Sequence, residues 1–402
     1  MLGSVYIGLT GLLSFSKGLD VISNNVANMN TPGFKKSDLL FQNLMFKPTL
    51  GGGQANTHSL YTGQGVSANQ STTNFSQGEL RDTNNNNVAA IDGTGFFIVR
   101  NDSDTYFTRY GGFEIDDDGF LVSTTNNGRI AALSDDQLID INIEGDKRLV
   151  FVATTRISFK NNLSTGGTEH TIEDIEVFDS EGNSHKLSVH FLKNSAEHPR
   201  SWQITVKNEA KEDIGFGQIR FAADGSPEAE YNTVNIELPV PEASPSNIEL
   251  YFGEPGSFID STSFSEGENS NLAVNAVNGS GSGSLIKTEF DSDGKLIFHY
   301  SNGEKKDGPQ LGLAWFDDLQ ALTQIGDGLF MRNQEQSPII GTAGSGIFGN
   351  IIGGKIELSN VELTLEFSDL IIIQRGYQAS SQILTTSNEI MQQTLDMGSS
   401  RR

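Results

Sequence analysis

Histidine, aspartate and glutamate are the first candidates here for ligating a metal or transferring a proton, since the sequence contains no cysteine. None of the six histidines pairs with another at the helical spacing that, with an intervening glutamate, forms a zinc site. His185 and His190 lie five residues apart in an expected strand, so their side chains point to opposite faces. We therefore predict no metal site, no catalytic histidine and no cofactor. The histidines are His58, His170, His185, His190, His198 and His299.

The glycine run from Gly344 to Gly349 has the spacing of a dinucleotide-binding loop. That function requires a strand before the run and a helix after it. Gly353-Gly354 follows almost at once, and no helix-forming segment begins there. The run therefore predicts a flexible loop.

Two aspartate-rich segments, 116–119 and 291–294, resemble the start of a calcium loop. Such a loop needs a glutamate at its twelfth position, where Thr125 and Tyr300 stand instead. Both segments therefore predict hairpin turns. The sequence has no nucleophile elbow of the form G-x-S-x-G. Its many carboxylates leave a paired-carboxylate site open, but no pair stands out, so an enzyme is not expected.

The net charge of the chain excludes some classes of binding partner. The 402 residues include 27 Lys and Arg against 51 Asp and Glu, giving a formal net charge of -24. Phosphate backbones and anionic membrane surfaces would repel such a chain, so neither nucleic acid nor a membrane is an expected partner. The longest apolar runs, such as 370–373, are short, and we expect no membrane-spanning helix and no cleavable signal peptide.

The first thirty residues predict a helix with an apolar seam. From Leu12 to Met29 the apolar residues are spaced alternately by three and four, as in a coiled coil. Thr31-Pro32-Gly33 ends the pattern, because proline disfavours helix in the residue before it. The seam consists of Val5, Leu12, Phe15, Leu19, Ile22, Val26 and Met29.

Residues 362–395 predict a second terminal helix, with Gly376 as its one glycine and no proline. One set of positions, spaced by seven, is apolar: Leu363, Leu370, Tyr377, Leu384 and Met391. We expect the seam's second set at Phe367, Gln374, Ser381, Asn388 and Leu395, which is apolar only at its two ends. A half-polar seam of this kind favours packing among several neighbouring helices.

Short strands and turns fill the middle of the chain. Alternating apolar residues at 187–191 and 202–206 predict strands with one buried face. The glycine- and serine-rich run 278–284 predicts a flexible linker and a domain boundary. The fold class is therefore mainly β with long terminal α-helices that pair, the β domains being inserted between them in a nested rod. The expected division is 1–30 with 362–402 (helical), 31–72 with 355–361 (connecting), 73–145 with 285–354 (middle β) and 146–284 (outer β).

The two terminal helices point to self-assembly. An amphipathic helix usually packs on the core of its own domain, but no other helical segment here is long enough to complete a bundle. Two helices alone bury little apolar surface. We therefore expect the missing helical partners to come from other copies of the chain.

Three segments resemble the flagellar rod and hook axial proteins. They are GLDVISNNVANMNTPGFKKS (18–37), FSQGELRDTNNNNVAAIDGTGFFIV with YFTRYGGFEIDDDGFLV (75–99 and 106–122), and ELSNVELTLEFSDLIIIQRGYQASSQILTTSNEIMQQTL (357–395). Ser23 stands where this family often has glycine, and the Ser399–Arg402 tail extends past its usual end. Rod proteins of this type are shorter and lack the insertion 146–284, so the length favours a hook-type member.

The resemblance implies a helical homopolymer without enzymatic activity, forming a curved tube in the extracellular flagellum. It further implies export through the type III apparatus without signal cleavage, and contacts with the distal rod protein, the hook cap protein and the hook–filament junction protein. A distal-rod or junction protein is the alternative within the family, and a β-rich adhesin the alternative outside it. The expected self-assembly residues are Leu12, Phe15, Leu19, Ile22, Asn24, Asn25, Val26, Asn28, Pro32, Gly33, Phe34, Leu363, Phe367, Leu370, Gln374, Arg375, Tyr377, Leu384 and Met391.

Overall fold

The structure is a computed structural model that describes eight stretches of the chain. These are residues 2–44, 47–49, 60–101, 104–134, 137–194, 198–240, 245–333 and 336–399. The glycine run 51–53 and the end of the tail, 400–402, lie outside the described residues.

Two long helices stand at the ends of the described chain, α1 at Leu2–Ala27 and α2 at Leu363–Ser399. They pack against each other, which confirms the expected pairing of the terminal helices. α1 ends before Pro32, in a turn where Asn28 donates its backbone and side-chain N–H groups to the Asn24 carbonyl. Side-chain capping of this kind competes with helix continuation.

The rest of the described chain is mainly strand, as the sequence predicts, with the strands numbered β1 to β31 in chain order. They are Ser37–Asn43, Lys47–Thr49, Leu60–Thr62, Val66–Thr73, Leu80–Asp82, Ala89–Asp92, Phe96–Arg100, Thr105–Thr108, Phe113–Ile115, Leu121–Ser123, Arg129–Ser134, Gln137–Asp140, Arg148–Leu149, Arg156–Asn162, Glu169–Phe178, Ser184–Lys193, Ser201–Lys207, Asp213–Arg220, Thr233–Leu238, Ser246–Tyr251, Ser261–Thr262, Ala273–Val277, Gly283–Phe290, Lys295–Tyr300, Lys305–Gln310, Leu313–Trp315, Thr323–Gly326, Leu329–Met331, Ile339–Gly341, Asn350–Gly353 and Lys355–Glu357.

The chain divides into two compact units. Unit 1 consists of Met1–Glu144, Thr288–Ile297 and Asp307–Arg402, and unit 2 of Gly145–Lys287 and Phe298–Lys306. β23, β24 and β25 contain residues of both units. The finer four-part division expected from the sequence stays a prediction.

One large sheet and several two-stranded sheets form the β part of unit 1. Its largest sheet runs in the order β27-β28-β8-β7-β11-β10-β9, with β12, β26 and β29 paired alongside. Phenylalanine rings fill one side of this sheet, and Phe107 packs edge-to-face on Phe316 with 4.8 Å between ring centroids. Near the helices, segments distant in sequence pair antiparallel, β5 with β31 and β6 with β30.

Unit 2 has its own core between two sheets. β15 to β18 form an antiparallel meander, and a second sheet runs β19-β20-β14-β21, with β22 beside β14. The alternating residues of β16 and β17 face inward together, with Val189 opposite Val206 and Phe191 opposite Ile204. Period-two alternation therefore identified the buried face of these strands correctly.

The expected turns are confirmed, but the expected linker is not. Segments 116–119 and 291–294 connect β9 to β10 and β23 to β24, and 344–349 is a loop followed by a strand. The run 278–284, by contrast, is held in place: Ser280 exchanges two backbone hydrogen bonds with Val152. Its glycines allow close packing, since a Cβ at Gly279 would lie 2.0 Å from Thr154 Oγ1. The flexible-linker prediction is wrong for this reason.

The turn between β15 and β16 is built around the buried Asp179. Its Oδ1 accepts hydrogen bonds from the backbone N–H groups of Glu181 and Asn183, and its Oδ2 accepts one from His185 Nε2 at 2.8 Å. Burial by itself would raise the pKa of the Asp179 carboxyl, but the hydrogen bonds from His185, Asn183 and Glu181 hold it well below its ordinary value.

Replacing Asp179 by Asn should destabilise unit 2 at pH 7 by about 1–3 kcal/mol, because the charged acceptor is lost. A carboxyl whose pKa is lowered by folding stabilises above its unfolded pKa, about 4, and loses that contribution as the pH falls further. The difference between Asp179→Asn and its parent should therefore shrink between about pH 5 and pH 2.

Thermal unfolding followed by Trp202 fluorescence, in a Trp315→Phe background, measures this effect. Trp202 is buried in the core of unit 2 and Trp315 lies in unit 1, so the remaining tryptophan reports on unit 2. Asp174→Asn is the matched control, since the Asp174 side chain is largely exposed and should change little. A pH-independent difference between Asp179→Asn and its parent would contradict the assignment.

Candidate self-assembly surface

The two terminal helices of unit 1 pack along a seam of small residues. They run antiparallel: Gly8 lies against Leu384 near one end of the seam, and Asn25 meets Glu366 near the other. A Cβ at Gly11 would lie 2.8 Å from Ser380 Oγ, and one at Gly18 would lie 2.6 Å from Ile373 Cδ1. Glycine thus permits a close approach of the two helices that a larger residue would prevent.

The seam is tightest where Phe15 of α1 crosses Gly376 of α2. A Cβ at Gly376 would lie between 2.5 and 2.8 Å from three atoms of the Phe15 ring. Phe15 also packs on Phe41 of β1, with 5.6 Å between ring centroids. A single aromatic side chain therefore joins α1, α2 and the β1–β4 hairpin.

The polar end of the seam connects α1 to both neighbouring elements. Asn25 is buried; its Nδ2 donates to the Ser37 carbonyl at 2.9 Å and to Glu366 Oε2 at 3.2 Å, and its Oδ1 accepts from the Ser37 N–H. Burial raises the pKa of the Glu366 carboxyl, and the Asn25 hydrogen bond and the Lys36 charge oppose that shift. This group therefore stabilises the helix pair less as the pH rises through the raised pKa.

A buried ion cluster lies where both helices join the β part of unit 1. Lys35 Nζ donates to Glu357 Oε1 at 2.6 Å and to the Ser76 carbonyl at 2.7 Å. Arg109 Nε donates to the other carboxylate oxygen, Glu357 Oε2, at 2.8 Å. The side chains of Lys35 and Glu357 are fully buried, and that of Arg109 is 5% exposed.

Each charged group in this cluster has hydrogen-bond partners besides its counter-ion. Arg109 donates to the carbonyls of Gly93, Gly95 and Ile91, and Glu357 Oε1 also accepts from the Gly78 N–H. Burial lowers the pKa of the Lys35 amine; Glu357 opposes this shift and the Arg109 charge adds to it. A buried charge cluster is stable only when its groups are satisfied in this way.

The turn after α1 is hydrogen-bonded to β31, the strand that carries Glu357. Gly33 has a φ of +72°, which favours glycine, and a Cβ there would lie 2.8 Å from the Tyr110 nitrogen. Its N–H donates to the Glu357 carbonyl. Asn360, just before α2, accepts from the Lys36 N–H and donates to the Asn74 and Ser76 carbonyls. The exit of α1 and the entry of α2 are therefore tied together.

The helices leave many large apolar side chains exposed. Within α2 these include Phe367, Ile371 and Ile372, at 51%, 53% and 65% exposure. Large contiguous apolar surfaces mark interaction sites on proteins, so these side chains are candidates for contacts with another chain. The exposed apolar residues of the two helices are Tyr6, Ile7, Leu9, Leu13, Leu365, Phe367, Ile371, Ile372, Tyr377, Ile383, Ile390, Leu395 and Met397.

The expected self-assembly residues fall into three groups by burial in the subunit. Buried residues are Ile22, Asn25, Gly33 and Phe34. Half-buried residues are Leu12, Phe15, Leu19, Val26, Asn28, Pro32, Leu363, Leu370, Leu384 and Met391. Exposed residues are Asn24, Phe367, Gln374, Arg375 and Tyr377.

One expectation about the α2 seam is wrong. The second set of seam positions is Glu366, Ile373, Ser380 and Ser387, which are buried and lie one residue before the expected set. Of the expected set, Ser381 is half-buried, and Phe367, Gln374, Asn388 and Leu395 are exposed. Contacts with α1 explain part of the difference, because Gly18 accepts Ile373 and Gly11 accepts Ser380 at short distance, while Glu366 accepts a hydrogen bond from Asn25.

The ion cluster was not found from the sequence. Lys35, Arg109 and Glu357 each lie inside a segment that resembles the axial proteins, but they are 74 and 248 residues apart along the chain. The sequence pattern that could have indicated the cluster is a charged residue among glycines and apolar residues. Lys35 in TPGFKK and Arg109 in YFTRYGG are examples. Spacing gave no reason to group the three.

The stretch Gly3–Ala27 of α1 is long and apolar enough to cross a membrane, by length and composition alone. The expectation of no membrane-spanning helix, which rested on the shortness of the unbroken apolar runs, stays a prediction. A helix that packs inside a protein passes the same test. Here Gly8, Gly11, Ser14 and Gly18 face other elements of unit 1.

Among the described residues, no group of three His, Asp or Glu could hold a metal ion.

Four flagellar family models match the sequence. Residues 6–35 match "Flagella basal body rod protein", and 352–397 match "Flagellar basal body rod FlgEFG protein C-terminal". Residues 90–159 match "Flagellar hook protein FlgE/F/G D1 domain", and 142–337 match "Flagellar basal body protein FlaE D2 domain".

Similar proteins span almost the full length of the chain. The flagellar hook protein FlgE of Borreliella burgdorferi is 27% identical, over 98% of this chain and 99% of that protein. FlgE of Escherichia coli is 26% identical, over 95% and 97%. The crystal structure of Helicobacter pylori flagellar hook protein FlgE2 matches 67% of this chain and 98% of its own, with 11% identity and a TM-score of 0.50. That structure shows a shared fold.

Gly376→Ala should loosen the helix pair. Alanine in a helix is ordinarily more stable than glycine by about 1 kcal/mol, but here its methyl group would overlap the Phe15 ring. We expect a net loss of about 1–3 kcal/mol in the stability of the seam. Hydrogen exchange of α1 and α2 in the full chain measures it. Gly3→Ala is the control, because a Cβ there has no neighbour within 4 Å, and that variant should exchange no faster.

Glu357→Gln should destabilise unit 1 by about 3–5 kcal/mol, since Lys35 and Arg109 would be left buried without a counter-charge. Asp82→Asn is the matched control on the adjacent strand, because Asp82 pairs with Lys355 at the surface and should change stability by less than about 1 kcal/mol. Urea unfolding monitored by hydrogen exchange in β6 and β31 compares the two variants. Equal effects would show that the buried cluster is not required.

Proposed function

This chain belongs to the family of flagellar hook and basal-body rod proteins and is a structural subunit of the flagellar hook, and from that premise we propose that its copies form a curved, flexible tube that transmits torque from rod to filament. One observation supports the mechanism best. The helix pair is held by glycines, so its large apolar side chains remain exposed for other copies.

The exposed side chains can supply the energy of assembly. Burying the remaining half of a large apolar side chain contributes about 1 kcal/mol, and thirteen exposed apolar residues lie on the two helices. Within one subunit, no described helix besides α1 and α2 could cover them. We propose that helices from neighbouring copies do so and line the inner tube.

The expected self-assembly residues take different parts in this proposal. Phe367, Gln374, Arg375 and Tyr377 are exposed and would contact other copies directly. The half-buried seam residues would contribute their exposed edges. Asn25 and Phe34, being buried, would act by fixing the direction of α1 within its own subunit.

The four-part division gives the parts their positions in the tube. We propose that 1–30 and 362–402 form the inner wall, that 31–72 and 355–361 lie between neighbours, and that the β parts 73–145 with 285–354, and then 146–284, lie further out. The outermost part carries 10 basic and 21 acidic residues. Polar, hydrated contacts between such surfaces can rearrange as the tube bends, while the inner apolar contacts persist.

The remaining assignments follow from the family. We propose contacts with the distal rod protein, the hook cap protein and the hook–filament junction protein, and export through the type III apparatus without signal cleavage. We further propose that the chain has no enzymatic activity and needs no cofactor. α1 would serve tube assembly, since its glycine face already packs on α2, and neither membrane insertion nor nucleic-acid binding is part of this function.

Electron microscopy of the purified full chain tests the proposal. Wild type should form curved tubes when a kosmotropic salt screens the net charge of -24 and favours apolar burial. Phe367→Glu and Ile371→Glu should each raise the protein concentration needed for tubes by about tenfold, because each places a charge in the buried interface.

Gln393→Glu is the control on the same helix, exposed and polar from the start. All three variants should keep the helical content of wild type by circular dichroism. Wild type that stays monomeric under every salt condition would overturn the proposed function.

A further inference from the structure

A partly acidic cavity of about 260 Å³ opens between α1, α2 and β1 in unit 1. Its walls include apolar groups from Ile22, Phe41 and Ile372. Three carboxylates, those of Asp38, Glu366 and Asp369, also line it. Lys36 lies near two of them, at 3.3 Å from Asp38 and 3.9 Å from Glu366, so the surrounding charge is not balanced.

The carboxylates are arranged from the floor of the cavity to its mouth. The Glu366 side chain is 4% exposed and lies at the floor, where it accepts the Asn25 hydrogen bond. The Asp38 side chain is 49% exposed, and Asp369 is exposed as well. Among the described residues, Asp369 has no ion-pair partner. A long side chain with an apolar stem and a cationic head matches this lining.

Arg375 is the basic residue of the helix pair that can form an ion pair with another copy. α1 and α2 contain two basic residues, Lys17 and Arg375, and Lys17 already interacts within the chain. Arg375 is exposed and forms no ion pair or side-chain hydrogen bond with any residue that the structure describes.

Within its own subunit, Arg375 forms no ion pair with the described carboxylates that line the cavity. It lies nine residues after Glu366 on α2, which at about 100° per residue places it on the opposite side of the helix. A guanidinium group would bind carboxylates better than an ammonium group, since its planar fork can contact two oxygens at once.

We propose that Arg375 of one copy inserts into the cavity of a second copy, between Asp369 and Asp38 at the mouth, with its stem against Ile372. This inference rests on the proposed function and names the charge pairing that sets the register of neighbouring helices. Because the inserting and receiving groups lie on different faces, the contact is head-to-tail and continues from copy to copy.

Two single charge reversals and their mixture test the pairing in the full chain. Arg375→Glu should raise the concentration needed for tube formation about tenfold or more, because a carboxylate would meet the carboxylates of the cavity. Asp369→Arg should raise it similarly, since the incoming Arg375 would meet a cation. In an equimolar mixture every contact between unlike copies is favourable, so alternating tubes should form near the wild-type concentration.

Arg332→Glu is the matched control, because it changes the formal charge by the same amount at an exposed site in unit 1. It should assemble at the wild-type concentration. Each variant is also checked for helical content by circular dichroism, and recovery in the mixture would itself show that both variants fold.

The outcomes separate this pairing from the proposed function. If wild type forms tubes and Arg375→Glu assembles at the same concentration, the pairing is overturned and the function stands. If both variants fail alone and their mixture also fails, the pairing is likewise overturned. If wild type forms no tubes, the proposed function is overturned, and the pairing that rests on it is overturned with it.

Discussion

The buried cluster of Lys35, Arg109 and Glu357 is the constraint on which the geometry of unit 1 depends. It joins the segment leaving α1, the strand entering α2 and three carbonyls of the β part in one charge-compensated group. Such a cluster adds little net stability over apolar packing, but a partial set is costly because it leaves a charge unpaired. It therefore favours one arrangement of the two helix connections over others.

The glycine seam complements that constraint. Gly11, Gly18 and Gly376 let α1 and α2 approach closely while using little of their apolar surface. Leucine and isoleucine side chains, which would ordinarily hold two helices together, are left facing outward. In the proposed assembly, buried side chains such as Ile373 hold the helix pair, exposed ones such as Ile372 contact other copies, and the half-buried seam residues take part in both.

Unit 2 differs from unit 1 in how its core is built and in the character of its surface. Its core lies between two sheets and includes Trp202, Phe191 and Phe252, and its turns are fixed by groups such as Asp179. Its surface is acidic and rich in polar residues. A folded, negatively charged body of this kind resists tight self-association, which agrees with the proposal that its contacts rearrange when the tube bends.

Local patterns in the sequence determined the elements. Heptad spacing from Leu12 onward and from Leu363 onward predicted both terminal helices, Pro32 predicted the end of the first, and alternation at 187–191 predicted the buried face of a strand, because each signal depends only on near neighbours in the chain. Tertiary structure alone decided the rest. Whether Ile373 or Gln374 enters the seam depends on Gly18, in a helix more than 300 residues away. Lys35, Arg109 and Glu357 become one site only when three distant segments meet, and spacing along a chain carries no record of that meeting.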